Sequence, residues 1–387
     1  MKKIIRISMI IFITCLLPIS FLHSAGTTSA TFLKMGTTSR IIGMAEAFTA
    51  IADDASSIGV NPAGLGYVDN LEILFAHHEW VVDLDYEYLA VAKPAFKGIK
   101  GYQGVLGGSI LYLHLPPFYQ YDDWGESVGE LSVNALAVTL GYGQKLGPFA
   151  FGNNLKLIRE QVDDISEFAF GMDLGVIYKA NLPPKRIGGF NLKGKSLLFG
   201  LSLLNVGLDR GIGGAPLPTT LKFGVGSQIF NGFLIDLDLE KPFDNRIRFN
   251  LGMEYTIKDL ISIRGGYRFF GYDVDTFTLG MGIRYFFGDK LIKASTAYAP
   301  QGPLKNTANL TVHLKFPGKV GLENWRVANT LYYQGIYYYT RGELDKAIEI
   351  WEQVLKIYPN HEKARKKIKD ALYLKDLKKI EKEKGKE

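Results

Sequence analysis

Between Leu71 and Phe316, apolar side chains recur at every second position. Ile247, Phe249, Leu251, Met253 and Tyr255 alternate with Arg246, Arg248, Asn250, Gly252 and Glu254. Leu310, Val312, Leu314 and Phe316 alternate with Thr311, His313 and Lys315. Successive side chains of a β-strand point to opposite faces, so each run predicts a strand with one apolar and one polar face. Fourteen strands are predicted, at 71–81, 85–95, 104–115, 130–143, 148–162, 167–180, 195–206, 218–230, 232–242, 245–256, 260–269, 276–287, 290–299 and 306–316. Asp244-Asn245 and Gly288-Asp289 suit tight turns, and 116–129 and 181–194 suit exposed loops.

An even number of antiparallel strands, each with one wet face, predicts a closed membrane-spanning β-barrel. A soluble β-sandwich is the rival, and strand length, strand number and the N-terminus weigh against it. That N-terminus reads as a signal peptide over 1–25: Lys2, Lys3 and Arg6, an apolar stretch from Ile7 to Leu22, then Ser24-Ala25-Gly26. The rivals there are an uncleaved anchor, for which the stretch is short, and lipidation at Cys15, where Thr14 fits poorly. With 1–25 removed, the chain has no cysteine, which excludes disulfides and thiolate chemistry.

Beyond residue 325 the period changes. Gly335, Tyr338, Ala347, Trp351 and Pro359 fall at the characteristic places of one 34-residue tetratricopeptide repeat, with Gly342 at its inter-helix turn. A Lys-rich helix follows, with Ile368, Ala371 and Leu374 as a stripe that would cap the pair. One repeat buries little core alone, so docking, self-association or a protein partner is expected.

The composition fits this plan. Hydrophobic content of 47% is low for a helical membrane bundle, and 43 glycines suit barrel turns. Residues 1–25 carry +3 and residues 361–387 carry +5 of the net +6, so the rest of the chain stands at −2. The basic tail has no interleaved aromatics, and nucleic acid is not an expected partner. The six histidines show no metal-ligand spacing, and no nucleophile elbow, P-loop or dinucleotide fingerprint occurs. The chain is therefore read as a non-enzyme with no cofactor and no metal.

Residues 26–70, rich in Gly, Ala, Ser and Thr, lack alternation and read as a compact irregular element with a short helix over 41–51. Ser39 to Ser56, with Asp53-Asp54-Ala55-Ser56, and then Asn61-Pro62-Ala63-Gly64-Leu65 resemble the N-terminal signature of FadL-like outer-membrane proteins, and more closely that of the PorV/PorQ branch. Gly200 to Gly207 resembles a strand-to-loop motif of the same branch. The resemblance implies a fourteen-stranded barrel over 71–316 closed by an N-terminal hatch over 26–70. A C-terminal repeat over 325–387 is not part of the plain FadL pattern.

In the hatch motif of Asp53, Asp54, Ser56, Asn61, Pro62 and Gly64, the acidic pair could bind a cation or gate the hatch, or simply cap a turn. By the alternation rule Asp236, Asp238, Glu240, Arg246, Arg248, Glu254, Arg264, Arg268 and Arg284 face the lumen. The acidic and basic ladders of 232–242 and 245–256 are expected to pair, either anchoring the hatch or lining a polar path. The candidate extracellular capture loop is Tyr112, Phe118, Tyr119, Tyr121 and Trp124, with interfacial anchoring or loop packing as an equal alternative for these aromatics.

The expected location is the outer membrane, with the C-terminal domain in the periplasm, because an even strand number puts both barrel ends on one side. The expected partners are outer-membrane lipid, a hydrophobic small-molecule ligand, and a periplasmic protein bound through the repeat. The resemblance leaves two roles open: passage of a hydrophobic or amphipathic small molecule, or a PorV-like scaffold in protein secretion or envelope assembly.

Overall fold

The structure is a computed structural model and describes residues 27–80, 84–97, 103–181, 185–187, 190–192, 196–208, 211–230, 232–269, 276–287, 290–300, 306–316, 319–358 and 361–384. Residues 1–25, expected to be a signal peptide, and Gly288-Asp289 and Pro359 lie outside them. The chain divides into two compact units, one a barrel and the other a set of C-terminal helices.

Sixteen strands form among the described residues: β1 Leu71–Glu79, β2 Asp85–Lys97, β3 Gln103–Tyr121, β4 Ser127–Leu146, β5 Phe149–Val162, β6 Ile165–Asn181, β7 Lys185–Ile187, β8 Phe190–Leu192, β9 Ser196–Gly207, β10 Thr220–Phe230, β11 Phe233–Pro242, β12 Arg248–Ile257, β13 Ile261–Phe269, β14 Thr276–Phe287, β15 Lys290–Pro300 and β16 Asn306–Phe316. Fourteen close into a barrel in sequence order, with β1 against β16; β7 and β8 form a separate pair. That pair falls where 181–194 had read as an open loop. The 116–129 loop is also corrected. β3 and β4 continue as a long hairpin whose turn is only 122–126, with a register break between Leu115 and Phe118 at Pro116-Pro117.

The alternation now has a direction. On β14, Phe277, Leu279, Met281 and Ile283 are 50–54% exposed, while Thr276 and Thr278 are buried. On β11, Leu237 is 47% exposed between Asp236 and Asp238, each at 0%. Large apolar groups outside and carboxylates inside invert the arrangement of a soluble protein and suit hydrocarbon outside the wall. Closure leaves no unpaired strand edge, the condition for sheet within a membrane.

The end at which β1 begins and β16 ends is called proximal here. Its rim carries outward aromatics in close pairs, with Phe149 and Tyr178 at 4.8 Å and Phe230 and Phe233 also at 4.8 Å between centroids. An aromatic girdle is what a headgroup layer favours. No helix among the described residues is long and apolar enough to cross a membrane.

The second unit contains α2 Lys319–Thr340, α3 Leu344–Ile357 and α4 Glu362–Lys384; α1 belongs to the lumen segment below. Helix α2 begins earlier than the 325 expected. Trp351 is fully buried and donates its indole N–H to the Tyr332 carbonyl at 3.0 Å. A Cβ on Gly335 would lie 2.6 Å from Trp351 Cδ1, so α2 and α3 approach that closely only through glycine. Gly342 has φ 77° and makes the inter-helix turn. Tyr338 is partly buried against the same core, and Ala347 is fully buried in it. Of the predicted capping stripe, Ala371 is buried and Ile368 packs on the core, but Leu374 stays 37% exposed. Ala364 takes a buried place instead. His361 Nδ1 accepts the Ala364 amide at 3.1 Å at the head of α4; burial holds its imidazole below the usual histidine value.

Candidate binding site in the barrel lumen

Residues 27–70 lie inside the barrel, hydrogen-bonded to strands around its circumference. Ser39 N donates to Thr311 Oγ1 on β16 at 2.8 Å, and Ala45 N to Thr278 Oγ1 on β14 at 3.0 Å. Asn154 Nδ2 on β5 reaches the Ile58 carbonyl at 2.8 Å. The segment has little regular structure: 3-10 turns at Thr31–Lys34, Ala55–Gly59 and Pro62–Tyr67, and one short helix, α1, at Ser39–Gly43. The helix expected over 41–51 is thus corrected. Ala45 and Glu46 adopt φ of 53° and 66°, which reverses the chain after one turn.

Close seating depends on glycines at inward positions. At Gly152 a Cβ would meet the Pro62 carbonyl, and at Gly200 the Thr49 carbonyl. Only a residue without a side chain lets the segment's backbone touch the wall at these points.

The hatch-motif residues act as caps. Asp54 accepts the Ser56 amide at 3.0 Å at the head of the 55–59 turn. Asn61 Oδ1 accepts the Ala63 amide at 3.2 Å, with Pro62 in the first position of the next turn. Its Nδ2 donates to the Thr49 carbonyl at 2.9 Å. Gly64 packs on Ser57, which a Cβ would overlap.

Arg40, absent from the sequence-based candidates, is the hub of the charges. It contacts Asp53 at 2.5 Å, Asp54 at 3.0 Å and Glu254 on β12 at 3.2 Å, and Glu254 also accepts Arg264 Nε at 2.6 Å. Burial alone would raise the Asp54 carboxyl; Arg40, with His313 and Lys293 nearby, outweighs it and holds Asp54 well below the usual carboxylate range. Burial alone would lower Arg40; Asp53, Glu254 and Asp54 outweigh it and hold the guanidinium charged.

The ladder pairing between β11 and β12 is corrected to a single rung. Glu240 lies opposite Arg248 and contacts it at 3.5 Å, but Asp238 faces Asn250 and Asp236 faces Gly252. Asp238 instead accepts the amides of Phe48 and Thr49, each at 3.0 Å, and the Thr49 hydroxyl at 2.6 Å. Asp236 accepts the Ala50 amide at 3.4 Å. Both carboxylates bind the lumen segment's backbone. Arg268 pairs with Glu46 at 3.0 Å. Arg246 is not on a strand: it is exposed in the turn before β12.

A further buried set went unnoticed in the sequence. Lys156 pairs with Asp173 at 3.0 Å, and Asp173 accepts from Asn154 Nδ2 at 2.7 Å and from the Asn205 amide at 2.7 Å. Asn154, Lys156 and Asp173 are buried polar residues at inward strand positions, so the alternation rule that picked out β11 would have found them.

At the distal end, opposite the proximal rim, lies a cavity of about 400 Å³. Phe32 and Met35 of the lumen segment, Trp80 and Leu84 of the β1–β2 connection, and Leu113, Val133, Ala135 and Val162 of the wall supply its apolar lining. Among the described residues Glu160 is the charged group there; it accepts the Ala30 amide at 2.9 Å.

The capture-loop residues lie along β3 and the turn that follows it, not in one open loop. Tyr112 is 38% exposed on the outer face, stacked on His114 at 5.1 Å, because its parity on β3 matches lipid-facing Ile110. Tyr119 is 59% exposed and Trp124, in the hairpin turn, is 87% exposed. Phe118 and Tyr121 sit in β3 with their backbones paired to β4. Tyr112, Tyr119 and Trp124 are not among the residues lining the distal cavity.

Barrel and lumen segment together define an outer-membrane-type β-barrel filled by its own N-terminus. Residues 23–209 match an uncharacterised protein family, UPF0164, and residues 328–361 match the tetratricopeptide repeat. No curated protein sequence matches the chain. Among solved structures it is similar to the Pseudomonas putida toluene transporter TodX, at 11% identity over 76% of this chain and 98% of that one, with a TM-score of 0.49. The Ralstonia pickettii toluene transporter TbuX matches at 11% identity over 72% and 97%, with a TM-score of 0.48.

Proposed function

We propose that this barrel passes a hydrophobic or amphipathic small molecule across the outer membrane, capturing it in the distal cavity and releasing it by movement of the lumen segment as a hatch. The observation that carries this is the cavity itself. Its volume lies in the range of small-molecule sites, and it is apolar with few polar groups, as such sites are. Phe32 and Met35 come from the mobile partner in this scheme, so ligand and hatch share a surface. No covalent chemistry is required. The distal end faces outward, and the C-terminal unit lies in the periplasm, on the side where β1 begins and β16 ends.

Ala135→Trp should fill the cavity and weaken retention of an apolar ligand at least tenfold, read by mass spectrometry of lipid extracted from the detergent-purified protein. The heat-modifiable band of the folded barrel should be unchanged. No ligand on the wild type, or equal retention by the variant, would overturn the reading.

The tetratricopeptide match favours a second reading, a PorV-like scaffold in secretion or envelope assembly. Tyr333 and Tyr337 on α2 are 62% and 51% exposed, an aromatic surface suited to a partner helix. Removal of 325–387 separates the two: ligand retention survives under transport, and a partner is lost under scaffolding.

A further inference from the structure

A second cavity, of about 200 Å³, opens below the lumen segment toward the proximal end. Arg40, Arg264, Arg284 and Lys293 line it with Asp53 and Asp54. Glu254 stands behind, shared by Arg40 and Arg264. Four cations therefore face three carboxylates, and all three carboxylates are engaged by Arg40. His313, also in the lining, is engaged by Glu72 at 3.1 Å.

The cations are less well served. Arg264 is 5% exposed, yet its Nη1 is buried with no hydrogen-bond partner among the described residues. Arg284 and Lys293 have no carboxylate within 4.0 Å among those residues. Such a buried donor is costly to leave unmade, more so when it carries charge. Water would satisfy the N–H but not the uncompensated charge. At about 30 Å³ per water, the cavity of about 200 Å³ holds roughly seven waters, or one oxyanion with part of its hydration shell.

We propose that this cavity binds an oxyanion, a carboxylate or phosphate group, held by Arg264 Nη1, Arg284 and Lys293. A guanidinium fork and an ammonium point charge are the groups that recognise both anions. The Ser295 and Thr311 side chains complete the polar lining. The same chemistry is offered by free inorganic phosphate and by the carboxylate head of an amphiphile. The site stands whether or not the distal cavity takes a ligand.

The test is calorimetric titration of the full chain in neutral detergent at low ionic strength, with inorganic phosphate and with octanoate as separate probes. At least one should bind saturably. Affinity should fall at least tenfold in Arg284→Gln/Lys293→Met and in Lys293→Met alone, and should recover in Lys293→Arg. Binding of phosphate alone identifies a free anion; binding of octanoate alone identifies an amphiphile head. No saturable binding of either probe, or unchanged affinity in the folded Lys293→Met protein, overturns the proposal. Octanoate binding that survives Lys293→Met but is lost in Ala135→Trp also overturns it and leaves the distal site standing.

Discussion

Replacing Arg40 by alanine should unseat the lumen segment. The substitution leaves Asp54 and Glu254 buried beside each other's elements without their shared cation. Breaking a buried pair by removing one partner costs about 3–5 kcal/mol, and here one residue serves three carboxylates. The expected result is an N-terminus open to protease in detergent and a rise in ion conductance across planar bilayers. Asp53→Asn should do far less, because Asp53 is 54% exposed and screened by water. Acid should mimic the Arg40 change. Asp54 is depressed below its unfolded value near 3.8, so its contribution is fully present above that pH and is lost as pH falls below it. Arg40→Ala protein as closed and protease-resistant as the wild type would contradict this picture.

The second large effect lies in the C-terminal unit. Trp351→Ala removes a fully buried indole that packs on Tyr332 and Tyr339 and bonds the Tyr332 carbonyl. Such a truncation costs about 3–5 kcal/mol. At about 0.05–0.15 kcal/mol per residue, the 66 residues of 319–384 have roughly 3–10 kcal/mol in all. The helices should therefore melt, losing helical circular dichroism and exposing 319–384 to protease, while the barrel keeps its heat-modifiable mobility. Undiminished helical signal at 37 °C would show that the Trp351 core is not what holds the unit together.

Much of the wall was legible because a period of two is a local property: each run names its own faces. Ends such as those of β14 and β16 fall where the alternation stops. The β3–β4 hairpin is longer than expected because alternation lapses over 116–129, whereas the structure carries pairing past Pro116-Pro117 through a register break. The lumen was legible only in part. Alternation shows that Asp236 and Asp238 point inward, but not that their partners are amides of Phe48, Thr49 and Ala50, some 190 residues away. The glycines were read as turn residues. Gly152 and Gly200 instead stand at mid-strand inward positions, a signal visible only once a segment is known to press against them. Arg40 was passed over because a lone arginine in a short helix carries no pattern; its role comes from the three carboxylates the fold brings to it.

Transport through this barrel requires that the lumen segment move as a hatch. Ser39 Oγ and Thr311 Oγ1 lie 2.9 Å apart, one on the segment and one on the wall. The sequence has one cysteine, Cys15, well before the lumen segment. The decisive measurement is uptake of an apolar solute by cells carrying Ser39→Cys/Thr311→Cys, oxidised and then reduced. The account predicts that oxidation stops uptake and that reductant restores it. Equal uptake with the cross-link closed and open would contradict it.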